Sequence, residues 1–356
     1  MNRRESGANK LIPAALVVLI VFAGCTTIQG PVVDRQEINA ETKRLEVKAL
    51  EYNIGLLAKV NKIGYRLVRT IPEKEIKVKP RKDIGLFVLP RNKATNRYFA
   101  KKPKKGVYIA YVLDGTPMAR ADAAPGDILA GINGDEVKSV QDVVVVLEKI
   151  FKKDGDEEVQ QVTLNLAGED GQPLKDVSVD VDTFPVNISF AIIEDEAVNA
   201  GASDTQVIVT KGLLNFTKSD EEIASAIAHE LAHVIRGHLV RKRGGIIVNT
   251  IAAVSLGITA EVFVPGTGSA VVNGVRGVGG MVNLKFSRDL EREADFYSLK
   301  ILDWAGYNLD EAAWFQERFS IEIPKTLISG YLNTHPNSPE RKLRIEKSIE
   351  EIKQGK

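Results

Sequence analysis

The stretch SAIAHELAHVIRGH, residues 225–238, constrains the fold more than any other, because it holds three of the four histidines of the chain. Each residue of a helix advances about 100°, so a helix here places His229 and His233 one turn apart on the same face. In this H-E-x-x-H arrangement two imidazoles hold zinc, and Glu230 is the general base. His238 lies about 180° round from His229, which predicts a poor ligand that is either exposed or in contact with a ligand.

A zinc site needs a third protein ligand, and the stretch SRDLEREADFYSLKIL offers two acidic candidates. Glu291 and Asp295 are one helical turn apart, so they face the same way on a helix. One carboxylate on the metal and another that orients a histidine ring would complete the ligand set and leave a fourth position open. From the residues alone, the alternative is a solvated face on which both acids pair with basic neighbours, namely Arg288, Arg292 or Lys300.

Three stretches together, HELAH, EREAD and NTHPNSPER, resemble the HtpX-like and CAAX-prenyl-protease-like gluzincin metallopeptidases. The resemblance extends over a helix from about residue 46 and over residues 186–347. It implies one zinc ion per chain with His229, His233 and Glu291 as ligands. It also implies that Glu230 is the general base and that Asp295 is the partner of the His229 ring.

The same resemblance assigns roles to residues outside the two metal helices. Asn199 and Ala200 would lie on an edge strand that receives the substrate backbone. His335, in the late motif, and Arg341 would stabilise the oxyanion of the tetrahedral intermediate. Two alternatives stay open for His335, which could temporarily occupy the metal or be a turn histidine before Pro336.

The N-terminus resembles a bacterial lipoprotein signal. Three basic residues precede an apolar run at residues 11–22, and small residues then lead to Cys25, the only cysteine of the chain. This pattern predicts a signal peptide over residues 1–24, lipidation of Cys25 and a linker over residues 25–45. A buried free thiol after an ordinary signal peptide is the alternative. Because Thr26 follows Cys25 where aspartate would alter sorting, resemblance to enterobacterial lipoproteins favours the outer membrane, facing the periplasm.

Two units precede the region of the metal motif. Helical periodicity over about residues 35–70 predicts a long helix, and residues 46–82 are assigned to the peptidase domain. Residues 83–184 carry short strand and turn patterns, and the segment PGDILAGING resembles a PDZ domain of the bacterial protease type, although Asp122 stands where that family has glycine. A PDZ domain binds peptide C-termini at a sheet edge. The alternative is a PDZ-shaped spacer that contacts only its neighbouring domain.

The segment at residues 244–286 is apolar and rich in glycine, and Glu261 and Arg276 are its only charges before Lys285. A membrane span is one interpretation, because residues 244–264 have about the right length. Polar residues within the segment and a lipid anchor at Cys25 favour an apolar hairpin or lid beside the active site.

The complete pattern predicts an α+β fold. A mainly helical zincin-type metallopeptidase domain at residues 185–356 carries a small edge sheet, and the β-rich PDZ-like unit is inserted before this domain. A net charge of +1 gives no sign of a nucleic-acid partner. We predict a zinc-dependent endopeptidase that cleaves unfolded or misassembled cell-envelope proteins. The alternative is a chaperone-like binding protein in which the PDZ-like unit and the apolar segment hold clients and proteolysis is slight or gated.

Overall fold

The computed structural model describes residues 30–31, 33–152, 159–168, 170, 173–203, 205–238, 286–322 and 339–355. Helices and sheets together give the α+β architecture that the sequence predicts. The chain divides into two compact units, residues 1–41 and residues 42–356. In the first unit, the Asp34 carboxylate accepts hydrogen bonds from the backbone N–H groups of Gln36 and Glu37 at 2.6 and 2.8 Å, and so caps the start of a helix.

That helix, α1 (Arg35–Arg69), agrees closely with the predicted long helix. In the second unit its buried positions recur every three or four residues, as an amphipathic helix requires, and include Leu50, Leu57, Val60 and Leu67. Gly64 marks the closest approach to a later strand, since a Cβ at Gly64 would come within 2.5 Å of the Phe190 ring. Any larger residue at this position would push α1 off the core.

A 3-10 turn (Glu73–Glu75) and strand β1 (Arg81–Asp83) lead into a six-stranded antiparallel sheet. Its strands are β2 (Phe87–Leu89), β3 (Val107–Tyr111), β4 (Ile128–Ile132), β5 (Asp135–Glu136), β6 (Gln161–Ala167) and β7 (Pro173–Asp180). Helices α2 (Lys93–Tyr98), α3 (Pro117–Arg120) and α4 (Val140–Lys152) lie between them. The strand order is β2-β3-β4-β6-β7, with β5 paired to β4.

At β2 and β3 both faces of this sheet are buried, and successive side chains, which point to opposite faces, enter two different cores. Val88, Val107 and Ile109 point into a small apolar core that also contains α4. Phe87 and Tyr108 belong to the large core of the molecule. The Phe87 ring lies 5.9 Å, centroid to centroid, from the ring of Tyr65 on α1. The sheet is therefore packed between α4 and α1.

The chain enters and leaves this sheet at neighbouring points. Strand β8 (Asp182–Phe184) pairs antiparallel with β1, so that Arg81 lies opposite Phe184. Buried polar groups hold the junction: the Tyr65 hydroxyl donates to an Asp83 carboxylate oxygen at 3.0 Å, and the Arg81 guanidinium donates to the same hydroxyl at 3.0 Å. The two-stranded ladder fixes both ends of residues 84–181 to α1.

A second, three-stranded sheet follows, with strands β9 (Ser189–Ile193), β10 (Ala200–Ala202) and β11 (Gln206–Thr210). Their order is β10-β11-β9, with β11 antiparallel to β10 and parallel to β9. The short helix α5 (Lys211–Phe216) then leads to α6 (Asp220–Ile235). Ser219 is the N-cap of α6, since its hydroxyl accepts from the backbone N–H of Glu222.

Three further helices follow α6 in the described part of the chain: α7 (Arg288–Trp304), α8 (Leu309–Glu322) and α9 (Pro339–Lys353). Helix α6 packs against α7, α8, β10 and β11, and α9 packs against α7 and α8. Every residue of α6 from Glu222 to Ile235 is buried in consequence. A helix that is buried all round accepts a charged side chain only where that charge is paired or has a function.

Among the described residues, no helix combines the length and the apolar character needed to cross a bilayer. Four predicted features lie outside the described residues: the signal peptide, Cys25, the apolar segment apart from Phe286, and His335.

Candidate metal centre

Two helices bring the three predicted ligands together. His229 and His233 stand one turn apart on α6, and Glu291 lies in the first turn of α7, which packs along α6. All three side chains are buried, with exposures of 1%, 0% and 8%. Among the described residues, these three form a group of potential ligands whose donor atoms lie within 4.8 Å of one another.

The distances between the donor atoms fit a zinc ion. The Nε2 atoms of His229 and His233 are 3.2 Å apart. The Glu291 carboxylate oxygens lie 3.4 Å from His229 Nε2 and 3.6 Å from His233 Nε2. Tetrahedral zinc with bonds of about 2.0–2.1 Å places its ligand atoms roughly 3.3–3.4 Å apart. Two imidazoles and one carboxylate are also a donor set typical of catalytic zinc, in which a fourth position stays open.

Glu230 follows His229 directly in α6, and its side chain is 1% exposed. Since neighbouring helical residues are about 100° apart, Glu230 lies beside the ligand pair and does not belong to the convergent group of ligands. The carboxylate is thus buried on the same helix as two ligands, and its role as a general base stays a prediction.

Asp295 lies one turn after Glu291 on α7 and contacts the other nitrogen of a ligand. Its carboxylate is 3.1 Å from His229 Nδ1, so the Nε2 atom of that ring is left for the metal. Burial opposes ionisation of Asp295, but the charge of Arg341 and the contact with His229 outweigh it and lower the pKa of the carboxyl. The carboxylate therefore stays ionised and accepts a hydrogen bond from Nδ1.

Arg341, on α9, makes a bidentate ion pair with Asp295, at 2.8 Å from Nε to Oδ2 and 2.7 Å from Nη2 to Oδ1. This contact was not anticipated from the sequence, which predicts Arg341 at the oxyanion. The pair places the guanidinium on the Nδ1 side of the His229 ring, whereas the metal-binding atom of that ring is Nε2. The oxyanion role of Arg341 stays a prediction.

The charge around His229 favours a cation at this position. Burial disfavours the charged imidazole, but the hydrogen bonds and charges of Asp295 and Glu291 outweigh burial and raise the pKa of His229 to about 9. Even with Arg341 paired to Asp295, two carboxylates and one guanidinium leave a net negative charge around the two imidazoles, which a proton or a metal ion offsets. The same arrangement therefore supports binding of a divalent cation.

His238 is fully buried, with 0% exposure, and contacts a ligand. The sequence leaves two alternatives for it, an exposed residue or one in contact with a ligand, and the structure shows the second. Its Nδ1 lies 2.9 Å from His233 Nδ1, and its Nε2 lies 3.2 Å from a Glu293 carboxylate oxygen. The contact forms because α6 ends at Ile235 and Gly237 adopts a φ of +68°, which reverses the chain.

Glu293 is a residue of the site that the sequence pattern did not indicate. It lies between Glu291 and Asp295 in α7, but about 200° round from Glu291, so the helical pattern alone places it on another face. Its carboxylate accepts from Arg236 Nε at 2.8 Å. Burial opposes its ionisation, but the hydrogen bonds from Arg236 and His238 outweigh it and lower the pKa of Glu293. The two basic residues that follow the H-E-x-x-H motif were the available signal.

Asn199 and Ala200 lie beside the metal helix. β10 is an edge strand of the described three-stranded sheet and packs against α6. The Asn199 backbone N–H donates to the Thr210 hydroxyl at 3.0 Å, and its side-chain oxygen accepts from the N–H of Ala200 at 2.9 Å. These bonds fix the start of β10.

Comparison with known proteins places this chain among metallopeptidases. The sequence model of Peptidase family M48 matches residues 154–349, more than half of the chain. Over 151 residues the chain is 30% identical to the mitochondrial metalloendopeptidase OMA1 of Arabidopsis thaliana. These aligned residues are 42% of this chain and 29% of that protein. The OMA1 of Schizosaccharomyces pombe is 28% identical over 170 residues, which are 45% of this chain and 46% of that protein.

The beta-barrel assembly-enhancing protease of Escherichia coli K12 is 26% identical over 168 residues, which are 43% of this chain and 32% of that protein. The chain thus spans less than half of the length of these relatives. The family match covers α6, α7 and most of α9, which carry the ligands and both partners of Asp295. The chain therefore belongs to Peptidase family M48, whose metallopeptidases depend on zinc.

Proposed function

We propose that this chain is a zinc-dependent endopeptidase that hydrolyses peptide bonds in unfolded or misassembled cell-envelope proteins. The observation that carries the proposal is the convergence of His229, His233 and Glu291 at distances that fit zinc. Glu230, buried beside the ligands, adds the base that hydrolysis needs and that a purely structural metal site does not.

A zinc ion held there supplies a Lewis acid, which polarises a peptide carbonyl and makes water a stronger nucleophile. The Glu230 carboxylate accepts the proton of the attacking water and then donates it to the leaving amine. Asp295 orients the His229 ring through Nδ1. His335 is proposed to stabilise the oxyanion, and Arg341 is proposed either to assist it or to act through Asp295.

The three-stranded sheet supports the proposal that the substrate binds in an extended conformation. An edge strand offers backbone N–H and C=O groups to a peptide that lies alongside it, and such pairing requires an unfolded backbone. β10 consists of Ala200, Gly201 and Ala202, whose small side chains distinguish little between substrate side chains. We therefore propose that selection depends on extended conformation more than on sequence.

The location is proposed from the N-terminal pattern and from the relatives. The signal pattern and Cys25 support a lipoprotein of the bacterial envelope, which we place in this proposal at the outer membrane. The E. coli relative is named a beta-barrel assembly-enhancing protease. Fractionation of cells that produce the wild type and Cys25→Ser tests this anchor. We expect the wild type in the outer-membrane fraction and Cys25→Ser outside it. An unchanged membrane fraction for Cys25→Ser would contradict lipidation as the anchor.

Residues 83–184 are proposed to be a PDZ-like unit that binds peptide C-termini. The two turns that flank β4, at Gly126 and Gly134, both have a glycine with positive φ and support the resemblance. The contact of Phe87 with Tyr65 of α1 equally supports the alternative of a spacer held against its neighbour. Binding of a fluorescent C-terminal peptide library, with carboxyl-amidated peptides as the control, separates these two roles.

Zinc content and cleavage, measured on the full chain, test the enzymatic proposal. Zinc is measured by mass spectrometry, and cleavage is measured on casein, which is unfolded. The variants are Glu230→Gln and, as a matched control on the surface of α9, Glu350→Gln. We expect one zinc per chain in all three proteins and a loss of cleavage of about 10²–10⁴-fold in Glu230→Gln alone.

Each other result overturns part of the proposal. A wild type without zinc would contradict the metal site. Zinc in every protein, with casein captured equally by wild type and Glu230→Gln and cleaved by neither, would favour the chaperone-like alternative.

A further inference from the structure

His238 is a buried imidazole between a ligand and a carboxylate. It lies 2.9 Å from His233 Nδ1 on one side and 3.2 Å from a Glu293 carboxylate oxygen on the other. Its ring is tilted by 56° against the ring of Phe286, at 6.2 Å between centroids, and Phe286 stacks on His233 at 3.9 Å. The two imidazoles are therefore held against each other on the side of His233 opposite the ligand group.

The positions of the hydrogens follow from the chemistry of the three groups. An ionised carboxylate only accepts hydrogen bonds, so the hydrogen between Glu293 and His238 belongs to His238 Nε2. A neutral His238 then carries a lone pair on Nδ1 and accepts a hydrogen bond from His233 Nδ1. With its hydrogen on Nδ1, His233 has a lone pair on Nε2, the atom that faces His229 and Glu291.

We propose that His238, backed by Glu293, is a positioning residue that holds His233 in the tautomer and orientation in which Nε2 binds the metal. This inference rests on the zinc site of the proposed function. In this arrangement the two histidine ligands of α6 are oriented in the same way, since a partner accepts the Nδ1 hydrogen of each ring. Asp295 is the direct partner of His229, and Glu293 acts on His233 through a second imidazole.

The helical geometry explains why a second imidazole is needed. Glu291 and Asp295 share a face of α7, so both reach the α6 ligands directly. Glu293 lies about 200° round from Glu291 and comes close to the end of α6 instead. The reversal of the chain at Gly237 brings His238 into the space between Glu293 and His233.

The affinity for zinc tests this role without recourse to catalysis. Zinc chloride is titrated into the metal-free full chain in the presence of a competing chelator. His238→Leu removes the acceptor but retains much of the volume, and we expect zinc to bind about 10–100-fold more weakly. His238→Asn keeps an oxygen near the position of Nδ1 and should restore most of the affinity. His238→Gln places its amide nearer Glu293 and should restore less.

Thermal unfolding with and without zinc distinguishes a positioning role of His238 from a merely structural one. Positioning predicts that the Asn and Gln variants have similar melting temperatures without metal and differ once zinc is bound. The control is Ser225→Ala, a buried polar residue of α6 whose hydroxyl contacts the Ala312 carbonyl at 3.5 Å. It should bind zinc as the wild type does.

The possible results lead to distinct conclusions. If all three His238 variants bind zinc like the wild type, the inference is wrong. It is equally wrong if Asn and Gln weaken zinc binding to the same extent, because the contact with His233 then has no specific effect. Should His238→Leu not fold, the Asn and Gln pair alone decides. A wild type that binds no zinc overturns the proposed function itself.

Discussion

The six-stranded sheet and the metal centre are both buried, but they are built in different ways. The small core of the sheet consists of apolar side chains, and all of them come from residues 84–181. The metal centre instead gathers buried polar groups from separate parts of the chain, on α6, α7 and α9. The core of the sheet removes apolar surface from water, whereas the metal centre places charges where water cannot screen them.

This difference predicts how each region responds to substitution. An apolar core loses stability in proportion to the volume removed, and it has no chemistry to lose. Buried charges are stable only in pairs, so removal of one partner is costly even where the pair itself adds little to stability. A substitution in the apolar core should therefore lower stability without changing metal affinity.

The largest effect is expected at a buried ion pair that links α6 to α8. Arg318 Nη2 lies 2.5 Å from the Glu222 carboxylate, and Arg318 and Glu222 are 3% and 4% exposed. Arg318→Met leaves Glu222 buried without its guanidinium, and we expect the free energy of unfolding to fall by about 3–5 kcal/mol. Urea denaturation of the metal-free protein measures this change.

The control for Arg318 is Lys342→Met, which breaks a more exposed ion pair with Glu317 between α9 and α8. Exposed pairs contribute roughly 0–1 kcal/mol, so this variant should unfold nearly as the wild type does. Equal losses in the two variants would show that burial does not distinguish these pairs.

A core substitution in the sheet gives the next largest effect. Leu129, on β4, is 0% exposed. Leu129→Ala leaves a cavity, and we expect a loss of about 2–5 kcal/mol in the free energy of unfolding with no change in zinc affinity. The control is Val145→Ala on the exposed side of α4. Weaker zinc binding by folded Leu129→Ala would break the separation between the two regions.

The smallest of the three effects is expected in the free energy of zinc binding, next to the metal. Asp295→Asn removes the charge behind the His229 ring and the ion pair with Arg341, and zinc should bind about 10–100-fold more weakly. Asp303→Asn, an exposed change on the same helix, is the matched control. Chelator competition measures both variants. Unchanged zinc affinity in Asp295→Asn would mean that the carboxylate has no part in holding the ligand.

Much of the fold follows from local patterns. The period of α1 depends on neighbours in sequence, so its prediction needs no knowledge of the rest of the chain. The two histidine ligands could be named for a similar reason, since a spacing of four residues places side chains on one face of a helix whatever surrounds it. Glu291 was named as the third ligand only through the family resemblance. Spacing also placed Glu291 and Asp295 together.

The sequence by itself determined which helices carry the metal-binding groups and which residues on them face the same way. Tertiary structure alone decided the partners beyond them: Arg341 behind Asp295, and Glu293 and His238 behind His233. The first kind of information is fixed by helical geometry over one turn. The second depends on where α7, α9 and the reversal at Gly237 come to lie, and long-range packing sets those positions without any short pattern in the chain.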